Sequence, residues 1–334
     1  MQAKTNKSLL TTRRSFLGLT SKALLGIGLG GLPQRFVFSK PTEQNELVDR
    51  INSAPKLFCT AYITPDAPGQ GNQEAIVARY PLVLVPQDMR RVFVQWRNRV
   101  RQLNPSIMML GYQIVIEETN VPGPGHDELR KVSNAWCEYP GGFVPQVKVG
   151  GTKMRRIFDP RSNEWQQRFI DACKLTLQSY PYDGLFLDQC TVFNIAHPSP
   201  EVRNEMRYAL QATLLKLRKA FPDKLLVGNS SYSWNGLNGE LNEGRLKSLV
   251  KETRSYEGHA MPQLEMYQSR LSNAQDIDIV KKEMALAHSY GAFYGAAVNY
   301  QQALWFKAFD KVVAKARVYK VGPNIPTGLR LNTK

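Results

Sequence analysis

A chain of 334 residues with 43% hydrophobic and 10% aromatic content has material for one large α/β barrel or two smaller domains with an ample core. No stretch reaches the roughly 18 unbroken apolar residues of a membrane-spanning helix. The formal net charge of +16 is uneven: residues 1–40 hold Lys4, Lys7, Arg13, Arg14, Lys22, Arg35 and Lys40 with no acidic residue, and the remainder carries +9. That balance suits a solvated basic surface or an anionic cell-surface polymer. No basic helix or Arg-rich stripe with interleaved aromatics stands out, so nucleic acid is not an expected partner.

Thr11-Thr12-Arg13-Arg14-Ser15-Phe16-Leu17-Gly18 precedes a weakly apolar, Gly-rich run from Ala23 to Leu32. Paired arginines, a following Phe-Leu and a modest h-region resemble a twin-arginine export signal. Residues 1–40 are therefore read as a signal segment, with the twin-arginine export machinery as a partner and a periplasmic or extracellular destination. Cys59, Cys137, Cys173 and Cys190 form no CxxC, and His126, His197, His259 and His288 are scattered. These spacings predict buried free thiols at Cys59 and Cys190, no metal site and no cofactor.

The first strand is predicted over Leu57 to Ile63, followed by a loop that includes Asp66, and the second over Leu82 to Val85, followed by Gln87 and Asp88. A helix then carries Val92, Phe93, Trp96, Val100 and Leu103 at helical spacing and stops at Asn104-Pro105. Ile107 to Tyr112 is the third strand. A long polar excursion through Pro122-Gly123-Pro124-Gly125, Trp136 and Gly141-Gly142 to Phe158-Asp159-Pro160 reads as a lid or substrate-binding insertion. A helix over residues 163–178 leads to the fourth strand, Leu185 to Leu187, whose continuous apolar run suits a parallel strand covered on both faces. A helix over residues 200–221 follows. The fifth strand is Leu225 to Asn229, the sixth Leu237 to Asn242 ending in Glu243-Gly244, the seventh Gln263 to Gln268 and the eighth Gly291 to Asn299. Eight strands alternating with helices predict a (β/α)8 TIM barrel over residues 55–320, with a loose C-terminal tail at 321–334. An open doubly wound sheet is the alternative, but no Gly-rich nucleotide loop follows an early strand.

In such a barrel the strand ends build the site. Besides Asp66, Gln87 and Asp88, they offer Tyr112, Gln113, Asp188, Asn229, Glu243, Tyr267, Gln268, Asn299 and Tyr300. No His is among them, which speaks against a Ser-His-Asp hydrolase. Two carboxylates in an aromatic cleft suit glycoside hydrolysis: one stays protonated to serve the leaving oxygen, and the other is ionised to attack the anomeric carbon or activate water. Asp188 and Glu243 form the natural pair. Tyr112, Trp136, Tyr232, Trp234 and Tyr267 are candidates to stack on sugar rings, and Asn229 and Asn299 to bind hydroxyls. Core packing is the alternative for each aromatic, a cap or amide contact for Asp188, and a charge at a helix N-terminus for Glu243.

The order Asn104-Pro105, Trp136, Phe158-Asp159-Pro160, Asp183-Gly184-Leu185-Phe186-Leu187-Asp188, Gly228-Asn229 and Asn242-Glu243 resembles a group of glycoside hydrolases of the hypothetical glycosyl hydrolase 15 type, similar to endo-α-1,4-galactosaminidase barrels. The likeness covers about residues 55–300. It implies that Asp188 is the nucleophile and Glu243 the acid; Asp183, at the other end of the strand, reads on its position as structural. Amylase-type barrels carry an Arg two residues before their Asp, where this chain has Phe186, so an amylase-like site is not expected. The expected function is hydrolysis of a polysaccharide or oligosaccharide by an exported enzyme. Two alternatives are a non-catalytic carbohydrate-binding barrel and a binder of anionic polymers or nucleic acid.

Overall fold

The computed structural model describes residues 41–60, 73–85, 91–117, 123–131, 146–149, 153–192, 199–229, 234–243, 264–272, 276–298 and 305–315. The signal segment, the C-terminal tail, Asp66, Gln87, Asp88, Trp136, Cys137, Tyr232, Asn299 and Tyr300 lie outside them.

Eight parallel strands form one sheet in chain order: β1 (Phe58–Thr60), β2 (Leu82–Val85), β3 (Met108–Ile114), β6 (Gly184–Asp188), β7 (Leu225–Gly228), β8 (Gly239–Glu243), β9 (Met266–Leu271) and β10 (Phe293–Val298). A bridge from Leu57 to Tyr294 brings the last strand back beside the first. Carried from Leu57 through every pairing, the register arrives at the position of Leu286, whereas Leu57 itself meets Tyr294. Eight residues of stagger over eight strands is the shear of a (β/α)8 barrel. The helices between them are α2 (Gln73–Ala78), α3 (Arg91–Leu103), α5 (Asn163–Ser179), α6 (Pro200–Ala220) and α7 (Ile277–Ser289), with α8 (Lys307–Lys315) after β10. The excursion after β3 holds α4 (Pro124–Leu129) and an antiparallel hairpin of β4 (Gln146–Val149) and β5 (Lys153–Arg156).

Alternation along each strand separates two cores. Phe58, Leu82, Leu84, Met108, Leu110, Phe186, Leu225, Val227, Leu241, Met266 and Phe293 fill the barrel. Their neighbours Val83, Val85, Met109, Leu185, Leu187, Leu226, Tyr267 and Tyr294 turn outward into the layer shared with the helices. Both faces are buried, so the strands read as unbroken apolar runs.

Local signals fix the helix ends. Ser162 caps α5 by accepting from the Trp165 amide at 3.3 Å, and Ser199 caps α6 by accepting from the Val202 amide at 3.2 Å, with Pro200 in the first turn. Asn104 ends α3 and is fully buried; its amide donates to Ala78 O at 2.8 Å while its oxygen accepts from the Ser106 amide at 3.1 Å.

A helix that the sequence reading did not identify, α1 (Pro41–Ser53), closes the floor of the barrel. Leu47 and Ile51 join the interior cluster, and Arg50 donates to Ile107 O at 3.0 Å and to the Asp183 carboxylate at 3.1 Å. Asp183 also accepts from Arg101 at 3.2 Å and from the Met109 amide at 2.8 Å. The carboxylate at the start of β6 thus ties α1, α3 and β3 together. Several strand boundaries differ from expectation: β3 runs on to Ile114 rather than Tyr112, β8 begins at Gly239 rather than Leu237, β9 runs from Met266 to Leu271 rather than from Gln263 to Gln268, and β10 begins at Phe293 rather than Gly291.

Candidate active site at the barrel mouth

Side-chain parity decides which residues reach the mouth. Leu110, Phe186, Val227 and Leu241 point into the barrel, so Tyr112, Asp188, Asn229 and Glu243, each two residues on, share that face at the carboxyl ends of their strands. Asn229 follows β7, which pairs with β6 on one side and β8 on the other, and therefore stands between the two carboxylates in strand order.

Asp188 is held by three donors. The Tyr112 hydroxyl donates to Oδ2. Asn229 Nδ2 and the Gln189 amide each donate to Oδ1 at 2.9 Å. Gln189, whose amide makes one of these contacts, has φ 53°, the one described non-glycine residue with positive φ. That conformation costs a residue with a Cβ about 1–2 kcal/mol. Tyr112 is itself braced, with its ring 6.0 Å from Phe186 and edge-on to the buried His126 at 6.0 Å. His126 Nε2 lies 3.4 Å from the Ile114 amide and accepts from it. Asp188 caps no helix, since α6 takes Ser199, but it does bind a backbone amide.

Glu243 ends β8 and makes an ion pair with Arg270 of β9 at 2.6 Å, the two side chains being 23% and 53% exposed. Gln268, which pairs with Glu243 in register, lies one step deeper than Arg270 on the same face. Behind the site, burial pushes the Cys190 thiol well above its usual range, and the nearby Glu240 and Asp188 charges act in the same direction. A thiol so disfavoured as thiolate is no nucleophile. Cys59 and Cys173 are likewise buried free thiols raised by burial. Among the described residues no three His, Cys, Asp or Glu side chains come together to hold a metal, and no helix is long and apolar enough to cross a membrane.

Tyr112 and Asn229, expected to bind sugar, are engaged with Asp188. Two other aromatic expectations are corrected. Tyr267 is 1% exposed on the outer face of β9, where its hydroxyl donates to Glu283 of α7 at 3.0 Å. Trp234 is buried in the outer core, its indole N–H donating to Cys190 O at 2.8 Å. Neither presents a ring face to the mouth, because parity sends Tyr267 outward and the Cys190 contact turns Trp234 inward. Trp136, Tyr232 and Asn299 lie outside the described residues. The sequence reading missed Arg270 and did not commit to Gln268; parity counted back from Glu243 through the β8–β9 register marks both as inward.

No family model matches the chain, and no curated protein sequence matches it. Among solved structures, the chain is similar to the α-galactosidase of Thermus thermophilus bound to p-nitrophenyl α-D-galactopyranoside, with TM-score 0.52 and 12% identity over 80% of this chain and 62% of that one. A single-residue variant of the glycoside hydrolase domain of PelA from Pseudomonas aeruginosa aligns at TM-score 0.47 and 13% identity, over 72% of this chain and 95% of that one. Ega3 of Aspergillus fumigatus, in complex with galactosamine, aligns at TM-score 0.42 and 8% identity, over 75% and 94%. At these identities the likeness is one of fold: a (β/α)8 barrel whose structural neighbours include glycoside hydrolases.

Proposed function

We propose that this protein is an exported glycoside hydrolase that cleaves a polysaccharide with Asp188 as nucleophile or charge stabiliser and Glu243 as general acid. The observation that carries the reading is the treatment of Asp188. Three donors orient one carboxylate at the carboxyl end of a barrel strand, and the residue that follows it is held in a left-handed conformation. Contacts of this kind fix the direction of the carboxylate. An ionised, fixed carboxylate is what an oxocarbenium-like transition state requires on one face of the sugar. Strain kept at such a residue is a mark of function. The other carboxylate then has the task of protonating the leaving oxygen, and Glu243, two strands on, is the described acidic residue on the same face.

The test is release of reducing ends from a panel of polysaccharides that includes galactosamine-containing and α-glucan polymers, with p-nitrophenyl α-D-galactopyranoside as a small substrate. Asp188→Asn and Glu243→Gln each abolish release while melting within about 3 °C of the parent, a shift worth on the order of 1 kcal/mol. Near-normal turnover by either variant removes that carboxylate from the mechanism. A second reading, a carbohydrate-binding barrel without catalysis, draws support from the Arg270–Glu243 pair, since the carboxylate is already engaged by a guanidinium. Oligosaccharide binding with no reducing ends released selects it. Export rests on Arg13-Arg14; replacement of both by Lys, followed by cell fractionation, leaves the protein in the cytoplasm if the twin-arginine reading holds.

A further inference from the structure

One polar side chain in the barrel is not matched to its surroundings. Gln268 is 3% exposed, and its Oε1 has no hydrogen-bond partner among the described residues. Its Nε2 reaches Thr60 Oγ1 at 3.4 Å, from β9 to the end of β1. It does so across β10, where the paired residue is Gly295. A Cβ at Gly295 would stand 2.8 Å from the Phe58 ring, so β10 carries no side chain at this level. Below Gln268 on the same face is Met266 of the apolar barrel core, and above it is Arg270, paired to Glu243. The amide therefore sits where the apolar filling ends and the polar mouth begins.

A buried acceptor with no donor is destabilising, and a hydrocarbon side chain of the same size would pack there without that cost. Such groups call for a partner from outside the protein, water or a ligand, and cluster at functional sites. Gln268 lies in register with Glu243 on the neighbouring strand, on the same face of the sheet.

We infer that Gln268 is the floor of the sugar-binding subsite beside Glu243 and that its Oε1 accepts from a hydroxyl or amino group of a pyranose. On the neighbouring strand β10 the residues at and above the level of Gln268, Gly295 and Ala297, are small. This rests on the carbohydrate reading of the site, whether or not the bond is cleaved. Gln268 is then a specificity-determining residue: a ring whose inward substituent lacks a donor leaves the acceptor buried and unpaired.

The experiment compares the parent with Gln268→Met, which keeps the length and removes the amide. Calorimetric titration uses galactose, galactosamine, N-acetylgalactosamine and glucose, the last three of which each differ from galactose at a single ring position, and thermal melts are run without sugar. The expected result is an unliganded melting temperature raised by about 3 °C or more, together with affinity for the preferred sugar weakened about 10-fold or more. A lowered melting temperature shows that the amide serves the fold as the link to Thr60 and overturns the inference. Unchanged sugar affinity overturns it equally. Sugar that binds the parent and is lost in Gln268→Met, with no polysaccharide cleaved by either, keeps the inference and removes the hydrolase reading. Cleavage with kcat and KM untouched by Gln268→Met does the reverse. Binding of none of the four sugars, with no polysaccharide cleaved, rejects both.

Discussion

Two aspartates bracket β6, and they are expected to respond to mutation in opposite ways. Asp183, at the floor, accepts from Arg50 at 3.1 Å, Arg101 at 3.2 Å and the Met109 amide at 2.8 Å, with its side chain 12% exposed. Asp183→Ala leaves the Met109 N–H without an acceptor, at a cost of about 1–3 kcal/mol. It also releases two guanidinium groups whose side chains are 28% and 26% exposed; screened by water, each of those pairs contributes at most about 1 kcal/mol. The sum is about 1–5 kcal/mol, with a centre near 3 kcal/mol. It falls on the element that seals the barrel, because Arg50 sits between Leu47 and Ile51 of α1. In a barrel of this size that lowers the melting temperature by roughly 5–15 °C, and the urea midpoint falls with little change in slope. Asp183→Asn keeps one oxygen for the Met109 amide and is expected to lose about half as much. Asp188→Asn, at the other end of the same strand, loses activity and keeps its melting temperature. A melting temperature for Asp183→Ala within about 2 °C of the parent would refute the reasoning, as would an equal loss in Asp188→Asn.

Other perturbations probe the mouth and the pH response. Tyr112→Phe removes the donor to Asp188 Oδ2; a charge-assisted hydrogen bond of about 1.5–3 kcal/mol translates into a kcat about 10- to 100-fold lower with KM little changed, and steady-state kinetics with unaltered kcat would count against Asp188 as the reacting carboxylate. Arg270→Met breaks a half-exposed pair worth at most about 1 kcal/mol, so kcat/KM shifts by less than about 5-fold; a loss of 100-fold would mean that Arg270 itself touches the substrate. Burial holds His288 below its ordinary value of 6.5, an effect that the Lys56 charge strengthens and the bond to Lys56 O partly opposes. The unfolded chain then takes up this proton first, so the stability from neutral His288 is full above about pH 6.5 and is lost as pH falls below it. Urea midpoints measured from pH 7 to pH 5 should fall more steeply in the parent than in His288→Gln, and parallel curves would exclude the contribution.

The barrel was legible where burial is symmetrical. Leu82–Val85 and Leu225–Gly228 send alternate side chains into two apolar layers, so their sequences are apolar throughout and their limits stand out. On β8, however, Glu240 and Asn242 occupy the outer layer and Gly239 has no side chain, leaving Leu241 as the one apolar residue of the strand. Propensity has little to act on there. What makes Gly239 a strand residue is close contact, since a Cβ would fall 1.9 Å from Leu264 O. The floor helix α1 was hidden for a different reason: its two interior contacts, Leu47 and Ile51, are a minority on a polar helix, and their value comes from partners that are distant in sequence.

The same distinction governs the site. A carboxylate at the end of an apolar strand can be found without coordinates, and Asp188 was; its direction follows from Phe186 two residues earlier. The aromatic residues could not be assigned by type, because a tyrosine beside a mouth and a tyrosine behind a strand have the same composition and differ only in parity. With β9 taken to stop at Gln268, nothing fixed which of Tyr267 and Gln268 pointed inward. Once Glu243 pairs with Gln268, the choice is forced: Gln268 and Arg270 turn into the barrel, while Tyr267 and Ser269 turn toward Glu283 of α7. A stretch read as an aromatic platform thus becomes a buried amide and an ion pair. The chemistry this strand offers at the mouth is hydrogen bonding and charge rather than an aromatic face.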